Sequence, residues 1–557
     1  MSDSKSVTIR LSNGWKLSLP EGITFGEIEK TIQKASGNLF TYPAVAAREN
    51  NELKTLGEKA HDGSLVSFVN GTSEEGRRVY RYSMIVMMLK AFYKLFPKGT
   101  VSVDHSVTGG VWCTPDVGET FRTSHMKALK DEMIRLSEEE IPFEPMFMTA
   151  GEALEMFSKL NRPDAVRLLS CCDKDHMMEL CSCGGYVDYM LTKSVPHTGY
   201  LKVFDLIYYP PGFILQFPRP MNPNVLSEFT LERQFCKTYN DFKKIGRLIE
   251  VSDVASLNDA IKAGEGADVI RVSEAIQEKK LAAIADQIYQ DRENLRVILI
   301  AGPSSSGKTT CANRLGVQLR INGMKPVAIS VDDYFLDRER TPRDEKGEYN
   351  FEVIEALDLE LFNRHLDMLL EGKEIELPRF DFSAGKSFPS GKKVKLLPNQ
   401  PVVIEGIHCL NDRLTEAVGR TNKFKIYVSP LTSLKLDNHN RIHTTDTRIL
   451  RRMVRDKLYR GRDVLGTLKK WDSVRKGERS YIFPFQEEAD VMFNSFLVYE
   501  ISVLKRFAEA ELVKISSDVP EHSEAQRLLN LLAFFLPLDT DEIPPNSIMR
   551  EFIGPRG

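Results

Sequence analysis

The chain has 557 residues, 42% hydrophobic and 27% charged, a globular composition that excludes a disordered or low-complexity scaffold. At about 150 residues per domain it holds roughly three to four domains. Lys and Arg number 75 against 78 Asp and Glu, a formal charge of −3, so overall charge does not drive nucleic-acid binding and only a local basic patch could. Eight cysteines are sparse and residues 1–5 are polar, so a reducing cytoplasm without a secretory signal is expected. The longest apolar runs, 84–89 and 531–538, fall far short of the ~20 residues that span a bilayer, and no membrane partner is expected.

Residues 1–72 read as a small α+β unit. Val7 to Leu11 and Lys16 to Leu19 alternate around the Ser12-Asn13-Gly14 turn, Thr24 caps a helix running to about 34, and two short strands follow near 44–48 and 64–69. The polar stretch 70–76 reads as a linker. A second unit, 77–225, opens with an apolar helix over 84–96, holds a charged helix near 124–138 and closes with strands around 200–209. Residues 226–292 read as a helical connector. From 293 to 515 strands and helices alternate, and 516–557 carry one amphipathic helix, 523–535, and a Pro-rich end.

Residues 296–301 form a continuous apolar run, the pattern of a buried parallel strand. The run feeds Gly302-Pro-Ser304-Ser305-Ser306-Gly307-Lys308-Thr309-Thr310, which fits G-x-x-x-x-G-K-[ST] at every fixed position, and a helix follows to 321. The glycines let backbone N–H groups cradle phosphate oxygens at a helix N-terminus. Lys308 can reach the β- and γ-phosphates of ATP, and the Thr309 hydroxyl can ligate Mg²⁺.

The next short strand, 327–330, ends at Asp332, and the strand of 401–404 ends at Glu405. Ligands sit at the carboxyl ends of strands in open α/β sheets. Asp332 is therefore the candidate base for an attacking hydroxyl, and Glu405 the candidate for the metal or its water. A basic segment completes the set. Residues 435–480 hold 14 Lys and Arg against 6 Asp and Glu, and Arg448, Arg451, Arg452 and Arg455 fall at helical i, i+3 and i+4 spacings. Such a helix can clamp transferring phosphates as a lid.

These segments resemble the uridine kinase and phosphoribulokinase family over residues 295–500. Ser330-Val-Asp332-Asp-Tyr-Phe335, Val402-Val-Ile-Glu405-Gly-Ile407 and residues 446–462 match its strand ends and its D-x-R-L-x-R-R helix and lid. The resemblance implies that Asp332 deprotonates the acceptor and Arg448 contacts the ribose. It places Arg455, Arg460 and Arg462 with the phosphate loop in ATP binding. Two stretches depart from it. The ribose-binding Asp is Glu352, followed by Val353 in place of His. The base pocket reads Pro378-Arg-Phe380-Asp381-Phe382, then Gly385 in place of the base-reading His and Ser387 in place of Arg. Phosphoryl transfer survives that comparison and pyrimidine specificity does not. Glu352, Phe380, Asp381 and Arg448 remain the candidate acceptor-binding residues.

Residues 7–70 resemble the small TGS domain, and 77–210 resemble the editing domain of threonyl- and alanyl-tRNA synthetases through Gly185-Tyr-Val-Asp-Tyr-Met190 and Arg81-Tyr82-Ser83. Where that family holds its editing metal with H-x-x-x-H and C-x-x-x-H, this chain has Tyr82, Val86, Met190 and Ser194, which offer almost no ligand. Editing hydrolysis is expected to be absent, and the domain is expected to regulate, gate or contact RNA. Cys171, Cys172, His176, Cys181 and Cys183 lack the paired C-x₂₋₄-C spacing of structural zinc sites, so zinc is not expected.

The expected architecture is multidomain, α/β and α+β: a C-terminal P-loop kinase with a mainly parallel sheet flanked by helices, preceded by a TGS-like and an editing-like α+β domain. The expected activity is ATP- and Mg²⁺-dependent phosphorylation of a small-molecule hydroxyl, nucleoside-like in the first instance. A non-nucleoside alcohol, or an NTP-switched RNA- or ribosome-associated factor, stays open.

Overall fold

The computed structural model describes residues 6–36, 41–107, 109–344, 347–382 and 384–555; the polar residues 1–5 lie outside that set. The strands Ser6–Leu11 and Lys16–Pro20 form a hairpin closed at Gly14, whose φ of +90° suits a residue without a Cβ. They extend a five-stranded sheet whose other members are Leu65–Asn70, Ala44–Glu49 and Glu52–Lys54. Phe25, Ile28 and Ile32 of the helix Phe25–Ser36 fill its core.

The stretch expected as a linker is shorter than the sequence suggested. Ser73 caps a helix, Glu74–Leu95, by accepting a hydrogen bond from the Gly76 amide. Its first turn is charged, so the apolar run from 84 marks only the part that packs inward. Two antiparallel sheets surround this helix. One orders Asp205–Tyr209, Gly212–Gln216, Gly110–Asp116 and Thr100–Val107; the other orders Tyr186–Tyr189, Met177–Cys183 and Phe143–Thr149.

The C-terminal region is built on a five-stranded, all-parallel sheet in the order Val327–Ser330, Val402–Glu405, Val297–Ala301, Lys423–Ser429, Val491–Asn494. Alternate residues of the central strand serve opposite faces. Val297, Leu299 and Ala301 join one core with Tyr334, Leu366 and Ile404, and Ile298 and Ile300 join another with Leu315, Ile426 and Val428. A sheet covered on both faces needs the continuous apolar strand that the sequence shows. The second face is also covered by Leu281, Ile284 and Ile288 of the helix Gly266–Gln290, which the sequence had assigned to a connector, and by Ile548 and Phe552 near the C-terminus.

The two halves of the chain share a core. Phe157, Leu168, Leu180 and Tyr189 pack in one cluster with Leu434, Ile449, Met453, Leu504 and Phe535. Among the described residues no helix is long and apolar enough to cross a membrane.

Candidate functional site

The loop between the central strand and the helix Lys308–Ile321 is shaped by backbone conformations few side chains tolerate. Gly307 has φ +87°, Ser305 has φ +59°, and a Cβ on Gly302 would lie 2.0 Å from the Val428 carbonyl oxygen. Three successive loop carbonyls are held by side chains from elsewhere. The Arg448 Nε donates to Ser304 O at 2.9 Å, Arg451 donates to Ser305 O at 3.4 Å, and the Ser495 hydroxyl donates to Ser306 O. A trans peptide sets its C=O and following N–H in opposite directions, so tying these carbonyls outward turns the amides of 305 and 307 toward the loop's interior. The Ser305 and Ser306 hydroxyls are buried without a partner among the described residues. A polyphosphate anion fits these unmet donors at a helix N-terminus.

The arginine helix, Thr444–Tyr459, does something different from what its sequence suggested. Arg448 and Arg451 are almost fully buried, at 1% and 0% exposure, and are not a solvated clamp. Arg448 forms a two-pronged ion pair with Glu478 of the helix Val464–Tyr481, and Arg451 pairs with Glu500. Both guanidiniums thus brace the loop from behind, and three of the five Arg448 N–H donors are spent on Glu478 and the Ser304 carbonyl. Arg452 donates to the Ser304 hydroxyl at 3.0 Å. Arg455, expected on ATP, is buried against Asp456 at 3.1 Å. Arg460 is exposed at the end of the helix, and Arg462 is half-buried just beyond it.

The acidic candidates converge in front of the loop. Glu405 stands opposite both Ile300 and Ser330 in the sheet register, and the Ser330 hydroxyl donates to it at 2.7 Å. Burial and the neighbouring Asp332 push its carboxyl up to about 7, against the pull of Lys308. Asp332 is half-buried in the turn Val331–Tyr334 that follows the edge strand. Lys308 lies at the helix start, its amine donating to Pro303 O at 3.3 Å, and Thr309 is exposed beside it while Thr310 is engaged elsewhere.

Glu352 also reaches this centre. Burial and Glu478 raise its carboxyl to about 7, while Arg452, Lys308 and Arg448 act in the opposite sense. Gly477 makes room for it, since a Cβ there would lie 2.4 Å from the Glu352 Cβ. Phe380 does not offer an open ring for an acceptor. It is a core residue packed on Phe335 and Phe382, with ring centroids 5.6 and 5.1 Å away. Asp381 is exposed and caps its own turn by accepting from the Ala384 amide at 3.0 Å. At Gly385, φ is +69° and a Cβ would lie 2.6 Å from the Arg338 Nε, so arginine fills the space a side chain at 385 would need.

Sequence reasoning missed Glu478, Glu500, Ser495 and Glu551. The last belongs to the C-terminal helix Arg550–Ile553, and its carboxylate accepts from the Thr310 hydroxyl at 2.7 Å and the Thr310 amide at 3.3 Å. Ile548 packs beside Gly307. The spacing of arginines announced a polar face on their helix; no comparable signal announced the acids that receive it.

The four positions Tyr82, Val86, Met190 and Ser194 contribute no metal site. Val86, Met190 and Ser194 are buried, and the Tyr82 hydroxyl donates to Tyr189 O. No group of three or more His, Cys, Asp or Glu able to hold a metal occurs among the described residues.

A phosphate loop on a parallel sheet, with acids at the neighbouring strand ends, defines a P-loop phosphotransferase. Residues 297–502 match the phosphoribulokinase / uridine kinase family, and the chain belongs to it. A uridine kinase from Halobacterium salinarum is 30% identical over 194 residues, covering 35% of this chain and 77% of that protein. A threonine–tRNA ligase from Carboxydothermus hydrogenoformans is 25% identical over 201 residues of the N-terminal half, 36% of this chain; the chain spans only 31% of that ligase's length. A solved structure described as a possible uridine kinase from Bacillus stearothermophilus aligns at 20% identity over 36% of this chain and 89% of that one, with a TM-score of 0.24.

Proposed function

We propose that the chain transfers the γ-phosphoryl group of ATP to a hydroxyl of a small molecule, in the first instance a nucleoside-like sugar. The observation that supports this most directly is the convergence of Asp332, Glu405 and Lys308 at the carboxyl ends of the parallel strands, in front of a loop whose Ser305 and Ser306 hydroxyls have no partner among the described residues. In this reading the loop amides and Lys308 hold the phosphates, and Asp332 takes the proton of the acceptor hydroxyl as it attacks. Thr309 and Glu405 are the residues that would hold Mg²⁺, which supplies charge neutralisation across the β- and γ-phosphates when bound. Glu352, beside Lys308 and Arg452, would position the acceptor.

A second reading, a non-nucleoside alcohol as acceptor, draws support from Gly385. With Arg338 seated where a base-reading side chain would project, the pocket lacks the group that discriminates pyrimidines. The similarity of the N-terminal half to threonine–tRNA ligases also keeps RNA contact in that half as part of the proposal. A screen of nucleosides and sugar alcohols with ATP and Mg²⁺ tests both readings. Phosphorylation of a nucleoside supports the first and of a sugar alcohol alone the second. Phosphate release stimulated by tRNA or ribosomes but by no small alcohol overturns both.

A further inference from the structure

A cavity of about 380 Å³ lies far from the phosphate loop along the chain, between the N-terminal sheet, the start of the helix Glu74–Leu95 and the hairpin around Phe217. Its volume falls in the range of small-ligand sites. None of Tyr82, Val86, Met190 and Ser194 lines it, so it is separate from the lost metal positions. Arg77, Arg81, Lys202 and Arg219 line it, and among the described residues no Asp or Glu does.

Not all four cations are free. Arg77 pairs with Glu74 at 2.8 Å, and Arg219 with Glu228 at 2.5 Å. Arg81 makes no hydrogen bond or ion pair among the described residues; its guanidinium lies 5.3 Å from the centroid of the Phe217 ring. Burial and the positive charges of Arg77 and Arg475 hold it down to about 10. A half-buried guanidinium whose nearest charged neighbours are cations is unfavourable unless an anion is supplied from outside. His197, which also lines the cavity, has a buried Nδ1 without a partner among the described residues. Tyr80 and Tyr200 add two rings to the wall, the former anchored by its hydroxyl donating to Val203 O at 3.2 Å.

We propose that this cavity is a second binding site and that its ligand is a nucleoside monophosphate, its phosphate on Arg81 and its base against Tyr80 and Tyr200. Arginine reads phosphate with two parallel N–H donors, and aromatic faces accept any base. The site borders the C-terminal region. Glu74, which holds Arg77, also pairs with Arg479, one residue along the helix from the Glu478 that anchors Arg448.

The test is calorimetric titration of the full-length chain carrying Lys308→Ala, which removes the phosphate-loop site from the measurement. UMP and AMP are expected to bind, with uridine and inorganic phosphate each at least about tenfold weaker. Adding Arg81→Met should weaken nucleotide binding about tenfold or more, and Arg81→Lys should restore part of it with an unchanged melting temperature. If Arg81→Met lowers the melting temperature, Tyr200→Ser tests the same cavity from its ring side. No nucleotide binding in Lys308→Ala, or binding indifferent to both Arg81 and Tyr200, overturns the proposal. Phosphate binding as tightly as UMP reduces the site to an anion site and overturns the nucleotide assignment. Binding of a short single-stranded RNA without either mononucleotide overturns it in favour of RNA.

Discussion

The phosphate loop opens a helix, Tyr82 and Val86 lie on one with Met190 and Ser194 outside it, and both sets resemble places where related proteins do chemistry. One keeps the residue types that its chemistry calls for and the other does not. At the loop backbone amides stand beside the Lys308 amine as donors, and what must chiefly be preserved is a conformation: Gly302, Gly307, and the side chains that tie the carbonyls of Ser304, Ser305 and Ser306. Around Tyr82 every donor would have been a side chain, and the substitutions leave two hydroxyls, a weak thioether and, at Val86, no donor atom. Val86 and Met190 simply join the apolar core of their domain. A site made of backbone is lost only by losing the fold, whereas a site made of side chains can vanish while the fold persists.

The contrast is broken most forcefully by Asp332, the side chain proposed to take the proton of the acceptor at the phosphate-loop site. Asp332→Asn should lower transfer by about 10²–10⁴-fold while ATP binding, read by equilibrium titration, stays nearly intact. Unchanged turnover would remove Asp332 from its role. The bracing arginines come next. Glu478→Ala strands Arg448 as an uncompensated buried charge, which should destabilise the chain by about 3–5 kcal/mol in urea unfolding and loosen the loop along with it. A loss below about 1 kcal/mol would mean that the pair is not what holds the loop.

Much of this was legible in the sequence, for identifiable reasons. The strand, loop and helix at 296–321 are local, and each of their requirements is written in adjacent residues. The acids at 332 and 405 could be placed because a strand's carboxyl end is visible as the end of an apolar run. The direction of the arginines was not legible, since helical spacing says that Arg448, Arg451 and Arg452 share a face and says nothing about what faces them. Glu478 lies 30 residues away, and Glu500 and Ser495 lie 49 and 44 residues away from Arg451. Phe380 was misjudged for the related reason that an aromatic residue in a core and one in a pocket look the same in a string. The C-terminal segment was read as a tail because its Pro-rich composition carries no periodicity, yet it places Ile548 and Glu551 against the phosphate-loop helix.

Glu405 sharpens the comparison through pH. Its carboxyl is raised from an ordinary value near 4.5 to about 7, chiefly by burial. Between about pH 4.5 and 7 the folded chain therefore retains a proton that the unfolded chain releases, and stability falls as pH rises through that window. Glu405→Gln removes this loss. Without Mg²⁺ it should be more stable than the parent by about 2–3 kcal/mol at pH 8 and indistinguishable from it at pH 4, as read by denaturant unfolding. Equal stabilisation at both pH values would show that the carboxyl is not held protonated by its surroundings.

The smallest expected effect is on the other side of the comparison, where metal analysis of the purified chain should find no stoichiometric zinc. The cysteines offer zinc no more than the four replaced positions do. Cys181 and Cys183 are buried in the domain core, and burial pushes both thiols up to about 12, far from the thiolate that zinc requires. Cys171 and Cys172 are half-buried on a turn, where the Lys262 amine donates to the Cys171 sulfur at 3.2 Å and sets a positive charge that repels a dication. One zinc per chain would show that side chains scattered in the sequence had reassembled a site, and the distinction between backbone-built and side-chain-built chemistry would fail for this protein.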